Sequence, residues 1–113
     1  MTHISERELG DRLEPYLEDQ FGPKAVHREY RFPDGLRPDF LVDGPICRWV
    51  FELENDDPSV RDALGQVTEY HRKAPDVRPV IVVPKDHVDA DRLRAFRPYL
   101  LIREFDMEAG ELV

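Results

Sequence analysis

The chain is expected to fold as an α/β protein, a mixed central sheet flanked by helices, in the order α-β-β-β-α-β with a further helix and strand behind. Three observations lead there. Apolar residues recur at helical spacing near the N-terminus; three strand-like runs then follow one another with only turns between them; and beyond residue 55 helical and apolar stretches alternate. With 113 residues there is length for one core, so the whole of 1–113 is read as a single domain with a loose tail at 107–113.

The first helix is expected from about residue 5 to 20. Ser5-Glu6-Arg7-Glu8 has the capping-box pattern, Leu9, Leu13, Tyr16, Leu17 and Phe21 form the apolar stripe, and Gly22-Pro23 ends it. Pro15 is placed to kink this helix. At about 100° per residue, Glu6 falls within the stripe and Glu8 outside it, so Glu6 is either a first-turn acid favoured by the helix dipole or a functional one.

Val26 to Phe32 alternates apolar and polar residues and reads as a half-exposed strand closed by the turn Pro33-Asp34-Gly35. His27 on its polar face is read as solvated, like His3 and His87. The centre of the chain is the pair of runs Arg37 to Val42 and Cys47 to Asn55, joined by Asp43-Gly44-Pro45. Residues two apart on a strand share a face at roughly 6.5 Å separation, so Glu52 and Glu54 lie together beyond Val50, while Trp49, Phe51 and Leu53 line the opposite face. An antiparallel pairing would set Asp39 across from the end of the second strand. Carboxylates brought together among sheet residues require a cation or shared protons, because burying an uncompensated charge costs several kcal/mol.

Asn55 to Ser59 is a loop and helix start, with Pro58 in the first turn and Asp57 or Ser59 as cap. That helix runs to about Lys73, with Val60, Ala63, Leu64, Val67 and His71 as the buried stripe and Gln66 and Tyr70 as a ridge along its edge. Pro79 to Pro84 is an unbroken apolar run, as in a strand buried on both faces and paired in parallel. A third helix over 86–96, with Leu93 and Phe96 inward, and a strand over 100–105 complete the pattern.

The single cysteine, Cys47, excludes a disulfide framework and suits a reducing, cytoplasmic setting. No apolar run approaches the roughly 18 residues of a membrane span. With 24 acids against 16 bases and only Lys24, Lys73 and Lys85 as lysines, the net charge of −8 suits a salty, halophilic cytoplasm. It also argues against a non-specific DNA coat, which rests on clustered Lys and Arg.

Taken together, these residues resemble the PD-(D/E)xK nuclease superfamily, which includes archaeal Holliday-junction resolvases, RecB-type nucleases and many restriction endonucleases. Pro38-Asp39 stands at the family's Pro-Asp, Glu52-Leu53-Glu54 at its (D/E)-x-K, and Gln66 with Tyr70 resembles the glutamine-tyrosine motif of RecB-type members, over roughly residues 5 to 84. Glu6 would be the first-helix acid. The family lysine is replaced by Glu54, and Lys73 is the candidate for a relocated one.

The resemblance implies a restriction-endonuclease-like core and a metal-dependent DNA nuclease, an endonuclease using Mg²⁺ or Mn²⁺. Asp39 and Glu52, with Glu54 and Glu6, would hold one or two ions. Glu54 would be a further ligand or the base orienting water, Gln66 would touch phosphate or nucleophile, and Tyr70 would support Gln66 or the backbone. Arg28, Arg31, Arg37 and Arg48 would contact DNA phosphates, and a homodimer would build the DNA channel. The alternative is a nuclease fold without hydrolysis that binds DNA or a protein partner.

Overall fold

The computed structural model describes residues 3–113, the side chains of 57–61 apart. Helix α1 spans Glu6–Phe21, and a short 3₁₀ turn at Pro23–Ala25 leads into β1 (Val26–Arg28). Strands β2 (Phe40–Asp43) and β3 (Arg48–Leu53), helix α2 (Asp57–Lys73) and β4 (Val77–Pro84) follow, then α3 (Ala90–Phe96), β5 (Ile102–Asp106) and β6 (Glu111–Leu112). The sheet has six strands in the order β1-β2-β3-β4-β5-β6. Pairing is antiparallel from β1 through β3, parallel across β3, β4 and β5, and antiparallel again between β5 and β6.

Helix α1 begins where the capping pattern places it. Ser5 Oγ accepts the Glu8 N–H at 3.0 Å, and the Glu8 carboxylate returns to the Ser5 N–H. Pro15 sits inside the helix on its exposed side, and the helix runs on past it. Leu9, Leu13 and Leu17 are fully buried against Phe40, Val42, Phe51, Leu53, Val80, Val82 and Phe105, the core on one face of the sheet. Ser5→Ala leaves a first-turn N–H without its partner and is expected to lower stability by about 1 kcal/mol in urea denaturation.

The other face is covered by α2 and α3. Ala63, Val67 and Leu93 pack on Ile81, Val83 and Ile102, while Tyr70 and Ala74 pack on Leu41, Val50 and Val77. The buried stripe of α2 is therefore Ala63, Val67, Tyr70 and Ala74, whereas His71 and Leu64, expected inward, are exposed. Tyr70 moves from ridge to centre because Glu52 satisfies its hydroxyl, so its ring is buried without an orphaned polar atom. The caps expected at Asp57 or Ser59, the first-turn place of Pro58 and the side chain of Val60 lie outside the described residues.

Several boundaries differ from the sequence expectation. Strand β1 stops at Arg28, because β2 begins only at Phe40 and offers no partner beyond it. Glu29 turns the chain off the sheet with φ 55°, and its N–H donates to the Asp39 carbonyl at 2.8 Å. Residues 30–36 form a loop in which Phe32 still tucks into the core, which is why the alternation resembled a strand. Arg37 accordingly lies outside β2 and Cys47 in the turn before β3. Helix α3 starts late, since Asp89 caps it through the N–H groups of Asp91 and Arg92 and Asp86 occupies φ 67° just before.

The segment 107–113, expected as a loose tail, is built into the sheet. Asp106 Oδ1 accepts the N–H groups of Glu108 and Ala109 at 3.0 Å, Gly110 takes φ 75°, and the chain returns so that Leu112 pairs with Phe105. Arg12 from α1 donates to the Met107 carbonyl at 2.8 Å, tying the turn to the helix.

Candidate active site

The register of β2 on β3 pairs Phe40 with Phe51, which sets Asp39, one step before β2, across from Glu52. Asp39 Oδ2 accepts the backbone N–H of Leu53 at 2.8 Å, and the Asp39 and Glu52 carboxyls lie close enough for each to shift the other's titration. Strand period two turns Glu52 to the α2 side of the sheet, with Val50, where Tyr70 waits: its hydroxyl donates to Glu52 Oε1 at 2.6 Å. Glu52 is only 6% exposed, so two carboxyls and a phenol share a largely dry corner at the C-terminal end of β3.

Burial decides the protonation of this corner. It pushes the Glu52 carboxyl up to about 8, with neighbouring Asp39 and Glu6 adding to the rise and the Tyr70 hydroxyl opposing it. Asp39 is raised too, by burial first, while the Leu53 N–H pulls the other way. Tyr70 is held far above the usual phenol range by burial and by Glu52. Glu6, exposed at the rim, is raised by partial burial and then by Asp39 and Asp56. Near neutrality the Asp39–Glu52 pair thus keeps a shared proton.

Asp39 lines a cleft of about 530 Å³ between the start of α1 and the β1–β3 side of the sheet, together with Glu6, Arg7, Asp11, Arg28, Glu29 and Leu53, while Glu52 lies behind it. Arg28 is tied to the cleft wall: it bonds Asp11 at 2.8 Å and Glu14 at 3.1 Å and lies 5.5 Å over the Phe40 ring. Gly10 lets it do so, since a Cβ there would stand 2.6 Å from an Arg28 guanidinium nitrogen.

The structure therefore brings Asp39, Glu52 and Tyr70 into direct contact and places Glu6 within electrostatic reach. Glu54, just past the end of β3, is buried, and its N–H donates to the Val82 carbonyl at 3.0 Å. Gln66 lies one turn before Tyr70 on α2, exposed, with no hydrogen bond to the pair among the described residues. Lys73 pairs with Glu69 at 3.5 Å, on the exposed side of α2. Arg48 is engaged by Asp43 at 3.2 Å and stacks 5.5 Å over Phe32, whereas Arg31 and Arg37 are exposed and make no ion pair among the described residues.

Two features escaped the sequence reading. Tyr70 supports Glu52, not Gln66 or the backbone; the spacing Ala63, Val67, Tyr70, Ala74 was the signal available for its inward face. The cleft wall formed by Asp11, Glu14 and Arg28 is a long-range contact between α1 and β1 that no local pattern announces. Tyr70→Phe leaves Glu52 without its donor and is expected to cost about 1 to 2 kcal/mol in urea denaturation. Because that donor lowers the Glu52 carboxyl, its titration by carbon NMR is expected to move further upward.

A divalent cation fits the pair by donor chemistry. Among the described residues no three His, Cys, Asp or Glu side chains form a ready-made cage. Mg²⁺ does not need one, since it is commonly held by one or two carboxylates and keeps its waters. A hard cation is also the natural replacement for the proton that Asp39 and Glu52 share.

The arrangement is a nuclease-like α/β fold, shared with proteins of known structure. A repair endonuclease from Pyrococcus abyssi superposes with a TM-score of 0.60 at 16% identity, over 94% of this chain and 49% of that one. SfsA from Pyrococcus furiosus, determined in complex with Ca²⁺, superposes with a TM-score of 0.58 at 20% identity, over 97% of this chain and 62% of that one. The chain thus spans about half to three-fifths of the length of these two structures. No protein-family model and no curated protein sequence matches it. No helix among the described residues is long and apolar enough to cross a membrane.

Proposed function

We propose that this protein is a metal-dependent nuclease that hydrolyses phosphodiester bonds in DNA, as an endonuclease. The observation that carries the reading is a pair of facing carboxyls, Glu52 buried at the end of β3 and Asp39 half-buried across from it at the wall of an open cleft. Carboxyls kept out of water and against each other destabilise the empty site, which is a cost tolerated where a cation or substrate relieves it. The fold shared with a repair endonuclease and with a Ca²⁺-bound protein agrees with that use.

Asp39 and Glu52 would hold Mg²⁺ or Mn²⁺, with Glu6 reaching in from the rim and Glu54 as a further acid. When bound, the ion supplies Lewis acidity toward the phosphoryl oxygen and a more acidic water. The chain's own residues set the conditions for this. The Leu53 N–H and the Tyr70 hydroxyl fix one oxygen each of Asp39 and Glu52, leaving their other oxygens to the ligand. Glu54 would orient or deprotonate a water, and Gln66, exposed one turn from Tyr70, would meet phosphate. Arg31 and Arg37 are the arginines available for DNA backbone contacts.

A second reading, a nuclease fold that binds DNA or a protein without hydrolysis, is favoured by one feature: Glu54 stands where the resemblance puts lysine, and Lys73 is held away by Glu69. Nicking of supercoiled plasmid with Mg²⁺ or Mn²⁺, from low to multimolar KCl, separates the two. Metal-dependent nicking by the wild type and its loss in Asp39→Asn support hydrolysis. A folded wild type that retards DNA without nicking it under any condition supports the binding module.

A further inference from the structure

The opposite end of the same strands carries a second surface unrelated to the carboxylates. Two hollows of about 180 and 360 Å³ adjoin there at Trp49, which lines both; a third, of about 360 Å³, shares Arg78 and Leu101 with them but opens on the α2 side, against Val67, His71 and Pro79. Ile46 in the second hollow is 96% exposed and Leu101 in the first 52%, high for large apolar side chains.

The fold explains why this face is bare. A six-stranded sheet is roughly 25 Å wide at about 4.8 Å per strand, whereas one helix covers about 10 Å. On the Trp49 side α1 is the helix present, and its buried leucines seat it over β2, β3 and the far ends of β4 and β5. Arg78 pairs with Trp49 in the β3–β4 register, so both project to that face, and Arg103 shares it with Phe105 two residues on. The start of β4 and β5 is left open beside the last turn of α1.

Its charge names the kind of occupant. In a chain of net charge −8, no acidic residue lines any of the three hollows. Arg78 and Arg103 line them and, among the described residues, make no ion pair. Two copies joined through this face about a two-fold axis would set arginines against arginines.

We infer that this surface docks an acidic amphipathic helix of a partner protein, laid beside α1 with its apolar side on Trp49 and Leu101 and its carboxylates toward Arg78 and Arg103. Trp49 is the chain's one tryptophan, so its emission reports occupancy directly. The probes are two helical peptides with the same leucine face, one carrying glutamate and the other lysine on the polar face, titrated into the full chain.

The glutamate peptide is expected to bind saturably with a blue shift of Trp49, and the lysine peptide at least tenfold more weakly. The double variant Arg78→Glu/Arg103→Glu, two exposed positions that leave the core untouched, is expected to reverse that preference; circular dichroism checks its fold. Equal binding of both peptides, no binding of either, or insensitivity to the charge reversal overturns the inference. So does displacement of the bound peptide by oligo-dT, which would assign the face to nucleic acid, or self-association lost in Leu101→Ser, which would assign it to a second copy.

Discussion

Glu52→Gln is expected to abolish metal-dependent cleavage while making the metal-free protein more stable above neutral pH. Loss of the carboxylate would remove one of the two proposed metal ligands, so plasmid nicking should fall by at least about 10²-fold. The gain in stability follows from proton linkage. The unfolded chain releases the Glu52 proton near the ordinary 4.5 and the folded chain only at about 8, so between those values the folded state binds more protons. Its stability is therefore full at low pH, falls as pH rises through this window, and levels off beyond it.

At about 1.36 kcal/mol per pKa unit the whole effect is on the order of 5 kcal/mol at most, shared with the coupled Asp39. Glutamine keeps the shape and the contact with Tyr70 but has no charge to bury. Urea denaturation at several pH values, without metal, should show wild-type stability declining toward pH 8 and the variant's curve nearly flat. A variant that is inactive because it is unfolded would instead be less stable at every pH.

Phe105→Ala is expected to lower stability by about 3 to 5 kcal/mol, a large part of the roughly 5 to 15 kcal/mol that holds a domain together. Phe105 is fully buried, meets the Tyr16 ring edge-on at 6.1 Å between centroids, and pairs with Leu112 of β6. Its removal opens a cavity where α1, β5 and β6 meet, which cannot collapse without moving the helix. By contrast Tyr99→Ala, on the bare surface, should change stability by no more than about 0.5 kcal/mol. Urea midpoints for the two variants would check both; a loss below about 1 kcal/mol for Phe105→Ala would mean that β6 does not close this core.

What the sequence made legible follows from how local each signal was. The capping box at Ser5, the leucine stripe of α1 and the unbroken apolar run of β4 are written in consecutive residues, and each has its element in the structure. Strand ends were less legible, because alternation over 26–32 continues through a loop whose Phe32 is buried without a strand partner. The C-terminal hairpin was missed since its two-residue strand derives its stability from Phe105, Arg12 and the Asp106 turn, none of which reads as strand propensity. Site chemistry divided in the same way. Asp39 and Glu52 stood out as acids among apolar residues, whereas the Tyr70 hydrogen bond and the Arg28 clamp are contacts between distant elements.

In the proposed mechanism a divalent cation would take the place of the proton held between Asp39 and Glu52. Calorimetric titration of Mn²⁺ at neutral pH, in buffers of different ionisation enthalpy, counts the protons released on binding. Saturable binding is expected, with release of about one proton near pH 7, close to none near pH 9, and no comparable binding in Glu52→Gln. Absence of Mn²⁺ binding, or binding that releases no proton and persists unchanged in Glu52→Gln, would contradict it.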